Sequence, residues 1–218
     1  MSESIEVVCI TTGMMGNNSW LVKNMETGEG FLVDASFSGK LIAEKIKNEG
    51  VMLKGILVTH CHYDHIYSVN ELREEFAADG VKVYAGEEEK NNLKNPSFNL
   101  IRKHNLPLEG VVADVYLKDG ECVDVAGINV KTIFTPGHTC GGVCYHIESE
   151  NLLFSGDTLF EGSYGRTDLP SGNEAELVRS VTGKLFTLPE NTKVFPGHGE
   201  TTDIGYESRT NPVLRLHV

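Results

Sequence analysis

Thr59-His60-Cys61-His62-Tyr63-Asp64-His65 is the stretch on which the reading of this chain turns. It holds three histidines and an aspartate, and it directly follows Gly55-Ile56-Leu57-Val58, an apolar run that reads as a buried strand. Neutral imidazoles and carboxylates are the usual protein ligands of zinc and related divalent ions. His60 and His62 alternate, so in an extended segment leaving a strand both rings face one side. Asp64 and His65 come one short turn later and approach the same space from a different angle, which suits a second ion better than the first.

Outward from this stretch, two more of the eight histidines sit in separate Pro-Gly-His turns, Pro136-Gly137-His138-Thr139 and Pro196-Gly197-His198-Gly199. A further acid, Asp157, lies in Phe154-Ser155-Gly156-Asp157-Thr158, again after an apolar run. Each candidate ligand therefore stands at a strand-to-loop junction, where a rigid scaffold presents chemistry.

In this order the motifs resemble those of the metallo-β-lactamase superfamily, across nearly the whole chain. The resemblance implies an α/β fold: a four-layer αβ/βα sandwich of two mixed sheets packed face to face with helices outside, as a single domain over residues 1–218. It implies that His60, His62 and His138 hold a first metal, that Asp64, His65 and His198 hold a second, and that Asp157 bridges them. The cofactors expected are two divalent ions, zinc first, with iron or manganese as alternatives because the same ligands suit all three. Two such ions roughly 3.5–4 Å apart share a water and, on zinc, lower its pKa to about 7. The expected reaction is hydrolysis by that bridging hydroxide, with Asp64 as the catalytic residue that orients it and passes a proton to the leaving group. Asp34, Thr59, Thr139 and Thr202 are candidates for the hydrogen bonds that fix the imidazole tautomers; each reads equally well as a cap or turn residue.

The segments Gly156-Asp157-Thr158-Leu159-Phe160 and Gly165-Arg166-Thr167-Asp168-Leu169-Pro170 resemble the glyoxalase-II-like (hydroxyacylglutathione hydrolase-like) branch. So does the ending, Thr202-Asp203-Ile204-Gly205-Tyr206-Glu207 with Asn211-Pro212. That branch implies a thioester substrate such as S-D-lactoylglutathione, with Arg166 in the place of a substrate-binding cation. Arginine suits a carboxylate because it donates two parallel hydrogen bonds, although Arg166 is equally placed to pin its own loop to Asp168. Only twenty residues follow His198, so a short form without the helical C-terminal extension is expected, and the thiol carrier stays open. Mononuclear iron persulfide dioxygenases share the Thr-His-Cys-His-x-Asp-His and Gly-Arg-Thr-Asp motifs and would use His60, His138 and Asp157. The intact Pro196-Gly197-His198-Gly199 turn favours two metals instead. A lactonase or other ester hydrolase, and a metal-binding module without turnover, complete the alternatives.

Composition agrees with a metal-dependent enzyme acting on a small molecule. A formal charge of −12 argues against nucleic-acid or anionic-membrane partners, since neither offers a counter-charge. The five cysteines are odd in number and form no disulfide framework, and Cys140 and Cys144 read as reduced thiols near a strand. The start, Met-Ser-Glu-Ser-Ile-Glu, has no basic region or long apolar stretch, and no run reaches the roughly 18 apolar residues of a membrane helix. A reducing cytoplasm is the expected compartment, with no signal for a particular oligomeric state.

The local pattern predicts strands over 5–10, 20–22, 31–33, 55–58, 81–84, 112–117, 122–125, 128–134, 142–147 and 152–154, with a loop over 11–19. A helix is predicted from an N-cap at Ser38 to Asn48, with Leu41, Ile42 and Ile46 inward. A second spans 68–78, and another runs from Ser171 or Asn173 through Phe186. The polar stretch 87–103 has helical tendency, with Glu87-Glu88-Glu89-Lys90 as a solvated face. Phe98, Ile101 and His104 are candidates for one side of the site mouth, and His146 reads as a structural strand residue. The strand-rich segments on either side of residue 110 fit two pseudo-equivalent halves.

Overall fold

Each half of the chain builds its own sheet. In this computed structural model, which describes residues 4–216, the first sheet pairs β1 (Ile5–Thr12), β2 (Asn17–Asn24), β3 (Glu29–Val33), β4 (Met52–Val58), β5 (Lys82–Gly86) and β6 (Val115–Leu117) in sequence order. The segment read for a signal peptide lies partly outside the described residues. The β1–β2–β3 pairs are antiparallel and the β3–β4–β5–β6 pairs parallel. The parallel crossovers carry α1 (Gly39–Asn48), α2 (Tyr63–Ile66), α3 (Val69–Glu75) and α4 (Ile101–His104).

The second sheet contains β7 (Cys122–Val125), β8 (Ile128–Phe134), β9 (Val143–Ile147), β10 (Leu152–Gly156), β13 (Lys193–Pro196) and β14 (Thr202–Asp203), in the order β14-β13-β10-β9-β8-β7. Between β10 and β13 come the hairpin β11 (Leu159–Phe160) and β12 (Ser163–Tyr164), then α5 (Glu174–Gly183); α6 (Ile204–Thr210) follows β14.

Side-chain alternation along the strands sorts the interior into layers. Leu32, Ile56 and Val58 pack outward against Ile42, Ile46 and Leu72 of α1 and α3. Phe31, Val33 and Leu57 face the other way and meet Val130, Tyr145, Phe154 and Phe195 of the second sheet. Leu153, Cys144 and Val194 of that sheet pack outward against Leu177, Val181 and Ile204 of α5 and α6. This is the expected four-layer sandwich. Each fully buried aliphatic or aromatic side chain contributes about 1.5–3 kcal/mol, whereas an exposed ion pair such as Lys131–Glu148 contributes about 0–1 kcal/mol. The layers therefore dominate the stability.

Several local expectations give way. Ser38 does not cap α1: it is left-handed (φ 65°) and its side chain makes no capping bond. Leu41 is 44% exposed and Ala43 turns inward in its place. The loop over 11–19 shrinks to 13–16, because cross-strand pairing carries β1 and β2 to Thr12 and Asn17. The predicted helix over 68–78 breaks into α3 and a 3-10 turn, and 87–103 forms 3-10 turns and the four-residue α4. Asn173 is the N-cap of α5, accepting from the Glu176 N–H at 3.1 Å. The first sheet ends at Leu117, so the halves divide there rather than at 110. His146 lies buried in β9, and Cys140 and Cys144 are free thiols. Among the described residues no helix is long and apolar enough to cross a membrane.

Candidate metal centre

The seven predicted ligands converge after the C-terminal ends of β4, β8, β10 and β13. Past Val58 the chain stays extended through His62 (φ −61°, ψ 142°) and then turns into α2, which sets Asp64 and His65 on a separate arc. Asp157 follows Gly156, whose positive φ of 49° lets the backbone swing past Thr59. His198 follows Gly197, where a Cβ would lie 2.4 Å from Asp157 Oδ1 and 2.6 Å from the His65 ring.

Two groups form. His60, His62 and His138 place ligand atoms within 4.8 Å of one another, and so do Asp64, His65 and His198. His62 Nδ1 and His138 Nε2 lie 2.9 Å apart. In the second group Asp64 Oδ2 is 3.8 Å from His65 Nε2 and 3.6 Å from His198 Nε2. Asp157 stands between the groups: Oδ1 is 3.3 Å from His65 Nε2, and Oδ2 is 3.6 Å from both His138 Nε2 and His198 Nε2.

The far ring nitrogens are already committed. His65 Nδ1 donates to Asp34 Oδ2 at 2.7 Å. Thr59 Oγ1 donates to the same oxygen at 2.7 Å and accepts from His60 Nδ1 at 3.0 Å. His138 Nδ1 donates to the Arg166 carbonyl at 2.8 Å, and His198 Nδ1 to the Met15 carbonyl at 3.2 Å. Fixing these protons leaves the Nε2 lone pairs aimed into the centre. His60 Nε2, His65 Nε2 and Asp157 Oδ1 are buried there without a hydrogen-bond partner. Buried polar atoms normally have one, so the donor set fits divalent cations.

The electrostatics follow from this crowding. Burial, then the neighbouring histidines, push His60 well below its ordinary value, and burial and His138 bring His62 down to about 3. Burial alone would also lower His65, but Asp157, Asp34 and Asp64 outweigh it and raise the ring well above its ordinary value. Burial would raise the Asp157 carboxyl; His65, His138 and His198 prevail and lower it to about 2.

Of the tautomer-fixing candidates, Asp34 and Thr59 contact ligand histidines, whereas Thr139 bonds Glu89 and Thr202 bonds Glu207. Sequence reasoning missed the part that Asn17, at the start of β2, plays in the site. Asn17 Nδ2 donates to Asp64 Oδ2 at 2.9 Å and lies 3.3 Å from His198 Nε2. Asn18 and Trp20 both donate to the Pro196 carbonyl, and Asn18 N–H to the Gly197 carbonyl, so the β1–β2 hairpin is stitched to the His198 turn. The Gly-Asn-Asn-Ser-Trp run was visible, but nothing local ties it to a turn some 180 residues away.

Tyr63, Leu100, Lys103, His104, Arg166 and Leu169 line the mouth with the ligands. His104, exposed on α4, lies tilted against Tyr63 with ring centroids 4.6 Å apart and borders the mouth. Ile101 is buried beneath it and Phe98 packs into the first core, so neither lines the mouth. The Arg166 guanidinium forms a two-bond pair with Asp168, at 2.7 and 2.6 Å.

Residues 12–198 match the model of the metallo-beta-lactamase superfamily, and the chain belongs to that family. It is similar to the probable metallo-hydrolase YqgX of Bacillus subtilis (strain 168), with 39% identity over 84% of this chain and 86% of that protein. It is also similar to the hydroxyacylglutathione hydrolase GloC of Haemophilus influenzae, with 30% identity over 84% of this chain and 86% of that one. Among solved structures, BLEG-1 B3 metallo-beta-lactamase superposes with a TM-score of 0.89 and 33% identity, covering 96% of this chain and 99% of that one. TTHA1623 in a di-iron-bound form superposes with a TM-score of 0.82 and 31% identity, covering 94% and 99%. The family and the His/Asp cluster together make this a metallo-hydrolase fold with a site for divalent metal ions.

Proposed function

We propose that the protein is a binuclear metal-dependent hydrolase of thioesters. In this reading His60, His62 and His138 hold the first ion, Asp64, His65 and His198 the second, and Asp157 both. The observation that carries it is the commitment of the outer ring nitrogens of His65, His138 and His198, which sets their Nε2 atoms 3.3 to 3.6 Å from one buried carboxylate, Asp157. The ions would supply Lewis acidity and a nucleophile at neutral pH.

The chain's own residues do the rest. Asn17 holds Asp64 Oδ2, while Asp64 Oδ1 makes no hydrogen bond and borders the mouth. Asp64 is held well below the ordinary carboxylate range because His65, His198 and Asn17 outweigh its burial. Such a carboxylate accepts the hydrogen bond that orients a water, and passes a proton on without storing it. A thiol leaving group, with a pKa near 8.5, departs without a strong acid, which favours thioesters over amides. The likeness to the hydroxyacylglutathione hydrolase GloC of Haemophilus influenzae supports the same reading. Lys103 has no ion-pair partner among the described residues and fits a carboxylate on the substrate, whereas Arg166 is already taken by Asp168.

Metal analysis of protein purified without chelators, followed by a thioester panel that includes S-D-lactoylglutathione, tests this reading. About two ions per chain and turnover of at least one thioester are expected. One iron per chain, with no thioester cleaved, would sink it and turn attention to oxygen uptake with a persulfide.

A further inference from the structure

We propose that Glu89 is a positioning residue that locks together the two loops carrying His60, His62 and His138, and so sets the three-imidazole site of the first ion. This rests on the metal reading above. Glu89 belongs to the 3-10 turn Glu87–Glu89 that follows β5. Its neighbours Glu87, Glu88 and Lys90 are exposed, as expected of a solvated charge run, but Glu89 is completely buried.

Its surroundings join the two loops. Cys61, between His60 and His62, lies beside the carboxyl. The hydroxyl of Thr139, directly after His138, donates to Oε1. Asn92 approaches from the following turn and also donates to Cys140 Sγ at 3.2 Å. The backbones are in contact as well. A Cβ on Gly141 would lie 2.6 Å from Glu89 N and from the Glu88 carbonyl carbon, and the Val143 N–H reaches the Thr59 carbonyl at 2.9 Å. Glu89 thus lies between the loops whose ring nitrogens, His62 Nδ1 and His138 Nε2, sit 2.9 Å apart.

A buried acid without a cation is costly, and a hydrophobic residue of similar size would generally stabilise such a position. Burial raises the Glu89 carboxyl above its ordinary value, outweighing the nearby Thr139, Asn92 and Cys61 groups. The carboxyl accepts from the Thr139 hydroxyl at Oε1, and Oε2 remains a buried acceptor beside Cys61 and Asn92. Metal ligands must be held to within about 0.5 Å. A clamp across the two loops meets that need where packing alone does not.

The test uses the full chain with Glu89→Gln, Glu89→Met and Thr139→Val. Affinity of the first site is measured by chelator competition in a His198→Ala background, affinity of the second in a His62→Ala background, and melting on metal-free protein. Glu89→Gln should bind the first ion within about threefold of wild type, and Glu89→Met and Thr139→Val about tenfold or more weakly. Second-site affinity should hold, and metal-free melting of Glu89→Met should stay level or rise. Wild-type first-site affinity in Glu89→Met overturns the proposal. So does a parallel fall of melting and of both affinities, the mark of a purely structural residue. Failure of the metal reading itself shows separately, as wild-type protein that binds no divalent ion or His62→Ala protein that keeps the full complement.

Discussion

Asp34 and His65 share a buried hydrogen bond of 2.7 Å, and the Asp34 oxygen that receives it also receives the Thr59 hydroxyl. One carboxylate thus orients His65 directly and His60 through Thr59, one ring in each ligand group. Asp34→Asn keeps the shape and tolerates the positive φ of 57°, but its amide nitrogen opposes at least one donor, the Thr59 N–H that reaches Oδ1 at 2.8 Å if it takes that place. Metal affinity should fall about 10–100-fold. A variant that binds metal like wild type would leave Asp34 as a turn residue.

Asn17 gives the proposed second ion site a probe. Trp20, the one tryptophan of the chain, donates to the Pro196 carbonyl at 2.8 Å, two residues before His198. Its emission should respond to loading of the second site. In Asn17→Ala, which strips Asp64 Oδ2 of its donor, that response should shift to about tenfold higher ion concentration. An unshifted titration would show that Asn17 does not support Asp64.

In the proposed function Lys103 takes the substrate-binding role that the sequence gives to Arg166. Lys103→Ala should raise KM about three- to tenfold for a carboxylate-bearing thioester with kcat little changed, the pattern of lost uniform binding. Arg166→Ala should raise it less, because its guanidinium is bound to Asp168 and the carbonyl that holds His138 survives the substitution. A larger effect at Arg166 would return substrate binding to that residue.

Metal-free protein should be most stable near pH 6.5. His60 and His62 have folded values below the ordinary 6.5. Below that pH the unfolded chain binds more protons, so their contribution falls with pH down to about 3 for His62. His65 and His198 have raised folded values, so the stability they add is present below 6.5 and is lost as pH rises through those values. Thermal melting across pH 4–9 checks the sign on both sides; a monotonic profile would refute it.

Gly197 leaves no room for a side chain between Asp157 and His65. Gly197→Ala should displace one of them and lower the bound metal to below about one ion per chain, with melting affected far less because the substitution lies at the rim of the layers. Full metal content in this variant would contradict the contact.

The fold and the convergence of the candidate ligands were legible because both depend on local pattern. An apolar run followed by His, Asp or Pro-Gly-His names a strand and what stands at its end, and four such junctions on two sheets leave few ways to arrange them. Asn173 as a helix cap was legible for the same reason. Ser38 was not, because its left-handed backbone is imposed by the path from β3 into α1.

What the tertiary structure alone decided are the contacts between residues distant in sequence. Glu89 reads as one of four charged neighbours, yet packing against Gly141 and Cys61 buries it. Asn17 meets Asp64 and His198 only because the first hairpin lies across the end of β13. Arg166 looks the same in sequence whether it is free or paired with Asp168. Periodicity and turn chemistry report which face a residue is on. Hydrogen-bond partners and buried charge depend on which loops meet at the end of the sandwich, and only the packing of the two sheets brings those loops together.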